Sequence, residues 1–322
     1  MRAACYDRYG PPEVVHVVEI PEPVAGAGEA SVRIEAASLN PIDGKLRSGT
    51  LRFAPMFKSP PRTTGADFSG VVVAVGGGPW RVGERVFGAL SPFGREGSCA
   101  EVCVVGVHAI AAIPEGVSFE TAACLPVAAG EAVQALADDA KLAPGQQVLI
   151  IGAAGGVGHF AVQYARHLGA QVTAVCATDN LAFVEGLGAN QVVDYRATDL
   201  LTLGPRFDVV FDVAGVIDWR ASQRLLRRGG IYLGTAGTAS TAISTTVGSL
   251  LAPLRGGMRA RNVVLKAGAA AWRRLADLAS RGVLRPHIAR RIGLDEVAQA
   301  QAAMASGHGR GKIVVLPKGV SA

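Results

Sequence analysis

The spacing of apolar residues changes character along the chain. Up to about residue 125 they come in short bursts, over 14–20, 29–37, 70–75, 85–88 and 100–105, each closed by glycine, proline or aspartate. Bursts this short and this dense predict the strands of a compact β-rich domain rather than βαβ units. Gly76-Gly77-Gly78-Pro79 and Arg81-Val82-Gly83-Glu84 mark turns between them. Ser118 stands as the N-cap of a helical segment over 118–123, and a mostly apolar helix is expected over 128–140. Beyond Pro144-Gly145 strand-length runs over 148–151, 171–176, 191–195, 207–212 and 231–234 alternate with helix-spaced ones, among them 181–187 and 221–228. Such alternation predicts a doubly wound parallel sheet, so the fold class is α/β. Helices over 269–281 and 295–305, an extended piece over 284–288 and a last strand over 313–316 complete the chain. A lone strand so late is expected to pair back onto the β-rich part. The expected domains are therefore 1–125, completed by 268–322, and 126–267.

The strongest local pattern joins Val148-Leu149-Ile150-Ile151 to Gly152-Ala153-Ala154-Gly155-Gly156-Val157-Gly158, followed by helical spacing through Phe160, Ala161, Tyr164, Ala165 and Leu168. A strand, a tight turn and a helix present free backbone N–H groups to a pyrophosphate. Against G-x-G-x-x-G, Ala153 takes the first glycine's place, and the pattern alone is a weak signal, since Gly-Ala turns also join ordinary elements. The next strand-like run begins two residues after Gly169, which completes a βαβ unit. Dinucleotide binding follows, with Gly155, Gly156, Val157 and Gly158 under the pyrophosphate. Residues after the strand ends, Thr178, Ala214, Gly215 and Gly234 through 237, are expected to line the cofactor crevice. Folds that use NAD commonly place an acid at the end of the second strand. Here Cys176, Ala177 and Thr178 hold that end and the acid arrives late, at Asp179. The small neutral end leaves room for a 2′-phosphate and favours NADPH, although no arginine follows and Asp179 would repel that phosphate if it faced it.

Length and composition narrow the rest. At 322 residues the chain has room for two domains. Its net charge of +6 is uneven: between Arg255 and Arg291 ten Arg and Lys face the single acid Asp277. That stretch reads as solvated helix faces, or as a site for an anionic partner or a cofactor phosphate. Aromatics do not interleave with these bases, which argues against nucleic acid as the main partner. No apolar leader opens the sequence and no apolar run reaches membrane-spanning length, so a cytoplasmic protein without a membrane partner is expected. Five cysteines without framework spacing read as reduced and mostly buried, and the close pair Cys99 and Cys103 lacks the further ligands of a structural zinc site. The six histidines are scattered, none at ligand spacing with acids or cysteines; His159 and His167, eight apart, are expected to face solvent. No metal site is expected.

Candidate chemistry gathers in the polar, turn-like stretch 38–49, where Asn40, Asp43 and Lys45 bring an amide, a carboxylate and an ammonium together. In isolation Asp43 and Lys45 would read as a surface ion pair. Gly65-Ala66-Asp67-Phe68-Ser69-Gly70 sets a second carboxylate beside glycines. Together with Pro114-Glu115-Gly116, the 152–158 turn, Leu187-Gly188-Ala189, Val193-Asp194-Tyr195 and 307–312, these landmarks resemble, over essentially the whole chain, the medium-chain dehydrogenase/reductase superfamily, and within it the zinc-free quinone oxidoreductases and enone reductases. The resemblance implies a GroES-like β-rich catalytic domain, a Rossmann-type domain and a C-terminal return to the former. It puts Asn40 where zinc-dependent members carry a ligand cysteine and Ala66 where they carry a histidine, and the cysteine-rich lobe is missing. Metal-free hydride delivery to an already polarised acceptor remains. By the same resemblance Asn40 holds the nicotinamide ribose side, and Lys45 replaces a tyrosine near that ribose as donor to a substrate or cofactor oxygen. Glu131 stands where a threonine usually flanks the nicotinamide, and Thr178, Tyr195 and Lys312 contact the adenosine phosphate or remoter parts of the cofactor. The expected catalytic set is Lys45, Asn40 and Asp43. The implied activity is NADPH-dependent quinone reduction; the alternatives are reduction of the carbon–carbon double bond of α,β-unsaturated carbonyl compounds and, as relatives similar to lens crystallins suggest, NADPH binding without catalysis. Homodimers are typical of the family, but no sequence feature establishes one.

Overall fold

The computed structural model describes residues 1–235, 257–307 and 309–319. Ala236, Gly237, Arg255 and His308, which figured in the sequence reading, lie outside them. The chain separates into two compact units, residues 1–130 with 267–322, and residues 131–266. The crossing therefore comes at Gly130, not at residue 125.

The first unit begins with β1 (Arg2–Tyr6), β2 (His16–Glu19) and β3 (Glu29–Ser38). Helix α1 (Pro41–Ser48) follows, then β4 (Arg62–Thr63), β5 (Asp67–Val75), β6 (Arg85–Ala89), β7 (Val102–Gly106), β8 (Ile110–Ala112) and the short α2 (Phe119–Ala123). Strand β3 pairs with β5 along most of its length and with β7 over its first half. Ala30, Val32, Ile34, Ala36 and Ala37 of β3 are fully buried, and their small or branched side chains fit a strand covered on both faces. The stretch read as turn-like is in fact α1, and local chemistry explains it. Pro41 occupies the first helical position, Asn40 before it is extended, the Asp43 carboxylate accepts from the Asn40 amide at 2.7 Å, and Gly49 ends the helix in the left-handed region. Ser118 caps α2, accepting from the Thr121 amide at 3.1 Å.

In the second unit β9 (Gln147–Ile151), α3 (Gly158–His167), β10 (Gln171–Cys176), α4 (Leu181–Gly186) and β11 (Gln191–Asp194) lead to β12 (Phe207–Asp212), α5 (Trp219–Ser222), β13 (Leu226–Thr235) and β14 (Arg259–Val263). All six strands run parallel in the order β11-β10-β9-β12-β13-β14. The order reverses between β9 and β12, the place where folds of this type bind ligands at the carboxyl ends of the strands. Two expected elements differ. Residues 226–228 belong to β13 rather than to a helix, because Leu226 is buried and pairs with Phe207 while Gly229, at φ +78°, lets the strand bend. The apolar stretch 128–140 keeps α-helical turns only over Gly130–Val133, with wider π turns over Leu125–Ala129 and Gln134–Asp139.

The chain then returns to the first unit through α6 (Ala269–Ser280), β15 (Ile288–Ile292), α7 (Val297–Ala305) and β16 (Lys312–Val315). Strand β16 pairs antiparallel with the end of β3, Val314 opposite Ser38, and parallel with β15. The expected pairing of the last strand with the β-rich part is thus observed. It places Lys312 beside the chain that leaves β3 for α1.

Among the described residues no helix is long and apolar enough to cross a membrane. All five cysteines are buried free thiols, as the spacing suggested. Among the described residues, the glycine turn after β9 is the tightest backbone approach in the second unit. Gly152 sits at φ +85°, and a Cβ on Gly158 would lie 2.1 Å from the Gly152 carbonyl oxygen. That oxygen is backbone and has nowhere to swing. Gly158→Ala is therefore expected to cost about 1–3 kcal/mol of stability, seen as a lower urea midpoint with an unchanged denaturant slope.

Candidate functional site

In the first unit β16, the β3–α1 junction and β5 bring Lys312, Asn40, Ser38 and Asp67 into one buried network. The Lys312 ammonium donates to the Leu39 carbonyl at 2.9 Å and to Asn40 Oδ1 at 2.6 Å, and stands 3.5 Å from Asp67 Oδ2. Asn40 Nδ2 donates to Asp67 Oδ2 at 2.8 Å, and the Val127 amide donates to Asp67 Oδ1 at 3.0 Å. Ser38 Oγ lies 3.1 Å from Asp67 Oδ2 and 2.9 Å from the Ala123 carbonyl, so its one hydrogen serves one of them at a time. Lys312 and Asp67 are almost wholly removed from solvent, at 2% and 0% exposure. Burial pushes the Asp67 carboxyl up, opposed by Lys312, Asn40, Val127 and Ser38. Asp43 is buried beside this network. Burial raises its carboxyl to about 7, against the opposing Asn40 amide, with Asp67 raising it further and Lys312 and Arg62 lowering it.

These contacts bear on three expectations. The Lys312 ammonium is engaged inside the first unit by the Leu39 carbonyl, Asn40 and Asp67. Asn40 has each end of its amide in a contact, Oδ1 with Lys312 and Nδ2 with Asp67. Asp43, 2% exposed and bonded to the Asn40 amide, positions the start of α1. Lys45, two residues on, is exposed on the same helix. Zinc, which the wider family implies, does not fit these donors: Ala66 has no ligand atom, and the Asn40 amide is already engaged. Among the described residues no group of three or more His, Cys, Asp or Glu side chains could hold a metal ion.

The second unit carries the glycine turn. Gly152 packs with no room to spare, since a Cβ there would reach 3.1 Å from the Ala214 Cβ, so the turn after β9 and the loop after β12 lie together. Among the described residues the amides of Gly156 and Val157 have no backbone acceptor, and both precede the first turn of α3. Unsatisfied N–H groups at such a turn fit a pyrophosphate. His159 was expected at the surface. It is instead 0% exposed, packs against Phe160 with ring centroids 4.0 Å apart and planes tilted by 37°, and holds the turn from within through Nδ1, 2.9 Å from the Gly155 carbonyl. Because a carbonyl only accepts, the hydrogen is on Nδ1.

Asp212, which the sequence showed only as the end of a strand, organises the neighbouring loop. Its carboxylate, 0% exposed, accepts from the Gly215 amide at 2.8 Å and the Ile217 amide at 2.9 Å. Burial raises this carboxyl and four backbone amides, 214 through 217, oppose the rise. Gly234 sits on β13 opposite Asp212. Thr178 and Tyr195 follow the ends of β10 and β11, where Cys176 pairs with Asp194. The structure thus collects the 155–158 turn, Ala214, Gly234, Thr178 and Tyr195 at the carboxyl edge of one sheet. Glu131 is the first residue of this unit, in the helical stretch Gly130–Val133.

Comparison with known proteins agrees with both units. The model of the alcohol dehydrogenase GroES-like domain matches residues 26–129, and that of the zinc-binding dehydrogenases matches residues 187–315. The chain is 32% identical over 336 residues, 98% of each sequence, to a chloroplast envelope quinone oxidoreductase homolog of Arabidopsis thaliana. Among solved structures, the quinone oxidoreductase from Coxiella burnetii is 31% identical with a TM-score of 0.86, covering 98% of this chain and 99% of that one. The Escherichia coli quinone oxidoreductase complexed with NADPH is 25% identical with a TM-score of 0.85, covering 98% and 100%.

Two outcomes follow from the buried network. Lys312→Met leaves Asp67 as an uncompensated buried charge and should cost about 3–5 kcal/mol; adding Asp67→Asn should recover part of that in the same urea titration. The Asp43 carboxyl is raised in the folded chain from 3.8 to about 7, so the unfolded chain gives up this proton first. Its contribution to stability is thus fully present below pH 4 and is lost as pH rises toward 7. Asp43→Asn keeps an acceptor for the Asn40 amide and should flatten that slope when unfolding is measured at pH 5 and pH 8.

Proposed function

The chain belongs to the quinone oxidoreductase-like group of the medium-chain dehydrogenase/reductase superfamily and is an NADPH-dependent oxidoreductase, and we propose that the acceptor it reduces is a quinone. The donor set at Asn40 and Ala66 carries this reading. Where alcohol-oxidising relatives place zinc, this chain has a methyl group and an amide engaged by Lys312 and Asp67. With no ligands for a Lewis acid to polarise a substrate oxygen, the acceptor must bring its own electrophilic carbon or oxygen system. A quinone does, and its two-electron product is aromatic.

When bound, the reduced nicotinamide supplies a hydride. The chain's own residues bind and orient. The amides of Gly156 and Val157 receive the pyrophosphate, and Asp212 holds the loop through Gly215 and Ile217 at the same sheet edge. His159 holds the Gly155 carbonyl and so supports the turn. On α1, Lys45 is the donor to the oxygen that gains negative charge as the quinone is reduced. The hydroquinone anion then takes its proton from solvent. Asp43 and Asn40 set the start of that helix and so the position of Lys45.

The test is NADPH oxidation with a panel of small ortho- and para-quinones, 2-enals and alkenones. Turnover of quinones well above that of the others is the expected result. Reduction of enones alone would mark a double-bond reductase, and bound but unoxidised NADPH would mark a non-catalytic binder. Lys45→Ala should lower kcat by about a hundredfold, with NADPH affinity and thermal midpoint unchanged. Full activity in that variant would remove Lys45 from the reaction.

A further inference from the structure

Resting on the reading of the second unit as an NADPH site, we propose that Arg196 selects the phosphorylated dinucleotide by binding the adenosine 2′-phosphate, and that Asp179 is the counter-charge it exchanges for that phosphate. In sequence the end of β10 has no nearby arginine. In the fold it gains one from the adjacent strand. Strands β10 and β11 are parallel with Cys176 opposite Asp194, so residues just past Asp194 stand beside those just past Cys176.

Five side chains, those of Thr178, Asp179, Asp194, Tyr195 and Arg196, meet there. Thr178 donates its hydroxyl hydrogen to Asp194 Oδ2 at 2.5 Å, and the Arg196 backbone amide donates to Asp194 Oδ1 at 2.9 Å. The Asp194 carboxylate, held below the usual range first by Thr178 and then by the Arg196 amide, is therefore turned into its own loop. Asp194 ends β11, whereas the acid that binds a ribose diol in NAD-selective folds stands at the end of the second strand, here β10. The Arg196 guanidinium is oriented differently. It stands 6.0 Å from the centroid of the Tyr195 ring, and one of its nitrogens lies 3.6 Å from Asp179 Oδ2. Arg196 and Asp179 are 45% and 80% exposed, so this pair is open to water and salt. A phosphate dianion offers a guanidinium two oxygens and more charge than one solvated carboxylate. Tyr195, 47% exposed, leaves the approach to the guanidinium uncovered. Asp179 explains why the strand end carries an acid without being NAD-selective: in the free chain that acid holds the arginine.

Calorimetric titration of the whole chain with NADPH, NADH, adenosine 2′,5′-bisphosphate and 5′-AMP tests this without turnover. Arg196→Ala keeps the backbone amide that bonds Asp194, so the loop should persist. It should weaken NADPH and the bisphosphate by about tenfold or more, and leave NADH and 5′-AMP within about twofold. Arg196→Lys should restore part of the loss. Asp179→Asn should tighten both phosphorylated ligands, and the wild-type preference for them should shrink as salt is raised. Equal weakening of NADPH and NADH in Arg196→Ala, or no weakening of either, would overturn the assignment while a wild type that binds NADPH keeps the cofactor reading. A wild type that binds neither dinucleotide would remove both.

Discussion

A lysine ammonium can stay buried only where acceptors surround it, and in this chain that requirement fixes much of the first unit. Lys312 comes from the last strand, and its acceptors, the Leu39 carbonyl and Asn40 Oδ1, come from the junction some 270 residues earlier. Asp67, from a third strand, balances the charge. Removing any one partner leaves a polar or charged group without water or counter-charge, which costs far more than an exposed pair contributes. The network therefore sets the pairing register of β16 against β3, since a shift of one residue would turn the lysine to the other face. It also fixes where α1 begins. Asn40 is held by its side chain, Asp43 binds its amide, and the helix that bears Lys45 starts from a point with little freedom.

The second unit meets a comparable demand with backbone groups. A strand that ends against a helix start leaves amides unpaired, and the turn after β9 leaves those of Gly156 and Val157 in that state. Close packing of Gly152 and Gly158, together with the Nδ1–H of His159 on the Gly155 carbonyl, prevents the turn from collapsing onto them. Asp212 does the same for the next loop by gathering its amides on one buried carboxylate. Both loops are thus held by contacts within the chain, which lowers the ordering cost that a ligand at this edge would meet.

Periodicity made the α/β alternation and the glycine turn legible, because strand and helix repeats there run for whole elements. It failed where tertiary pairing decides. Leu226, Arg227 and Arg228 fit a helix as well as a strand, and pairing of Leu226 with Phe207 settles them as strand. Residues 38–49 look polar enough for a loop, yet a proline at the first helical position, an acid two residues on and a closing glycine spell a capped helix that hydrophobic spacing does not reveal. Site chemistry was legible as residue types but not as partners. Asn40, Asp43 and Lys312 were all singled out, and the fold gathers them into one buried cluster that their distance in sequence does not suggest. The burial of His159 was missed because it looked like a polar helix residue, and the nearness of Arg196 to the end of β10 because it follows the neighbouring strand rather than the one being read.

The same junction also narrows the chemistry. Under the proposed reading, the amide at residue 40 and the methyl at residue 66 stand where metal-dependent relatives would carry ligands. The head of α1 is organised by the Lys312–Asp67 pair. Electrophilic assistance then rests on the one donor proposed, Lys45, which would stabilise a developing anion less than a divalent cation would. Such a site suits acceptors whose reduced form spreads its charge over a conjugated system, since the barrier that remains is then within reach of positioning and a single hydrogen-bond donor. An unactivated ketone or alcohol would leave the charge on one oxygen, where this arrangement has least to offer.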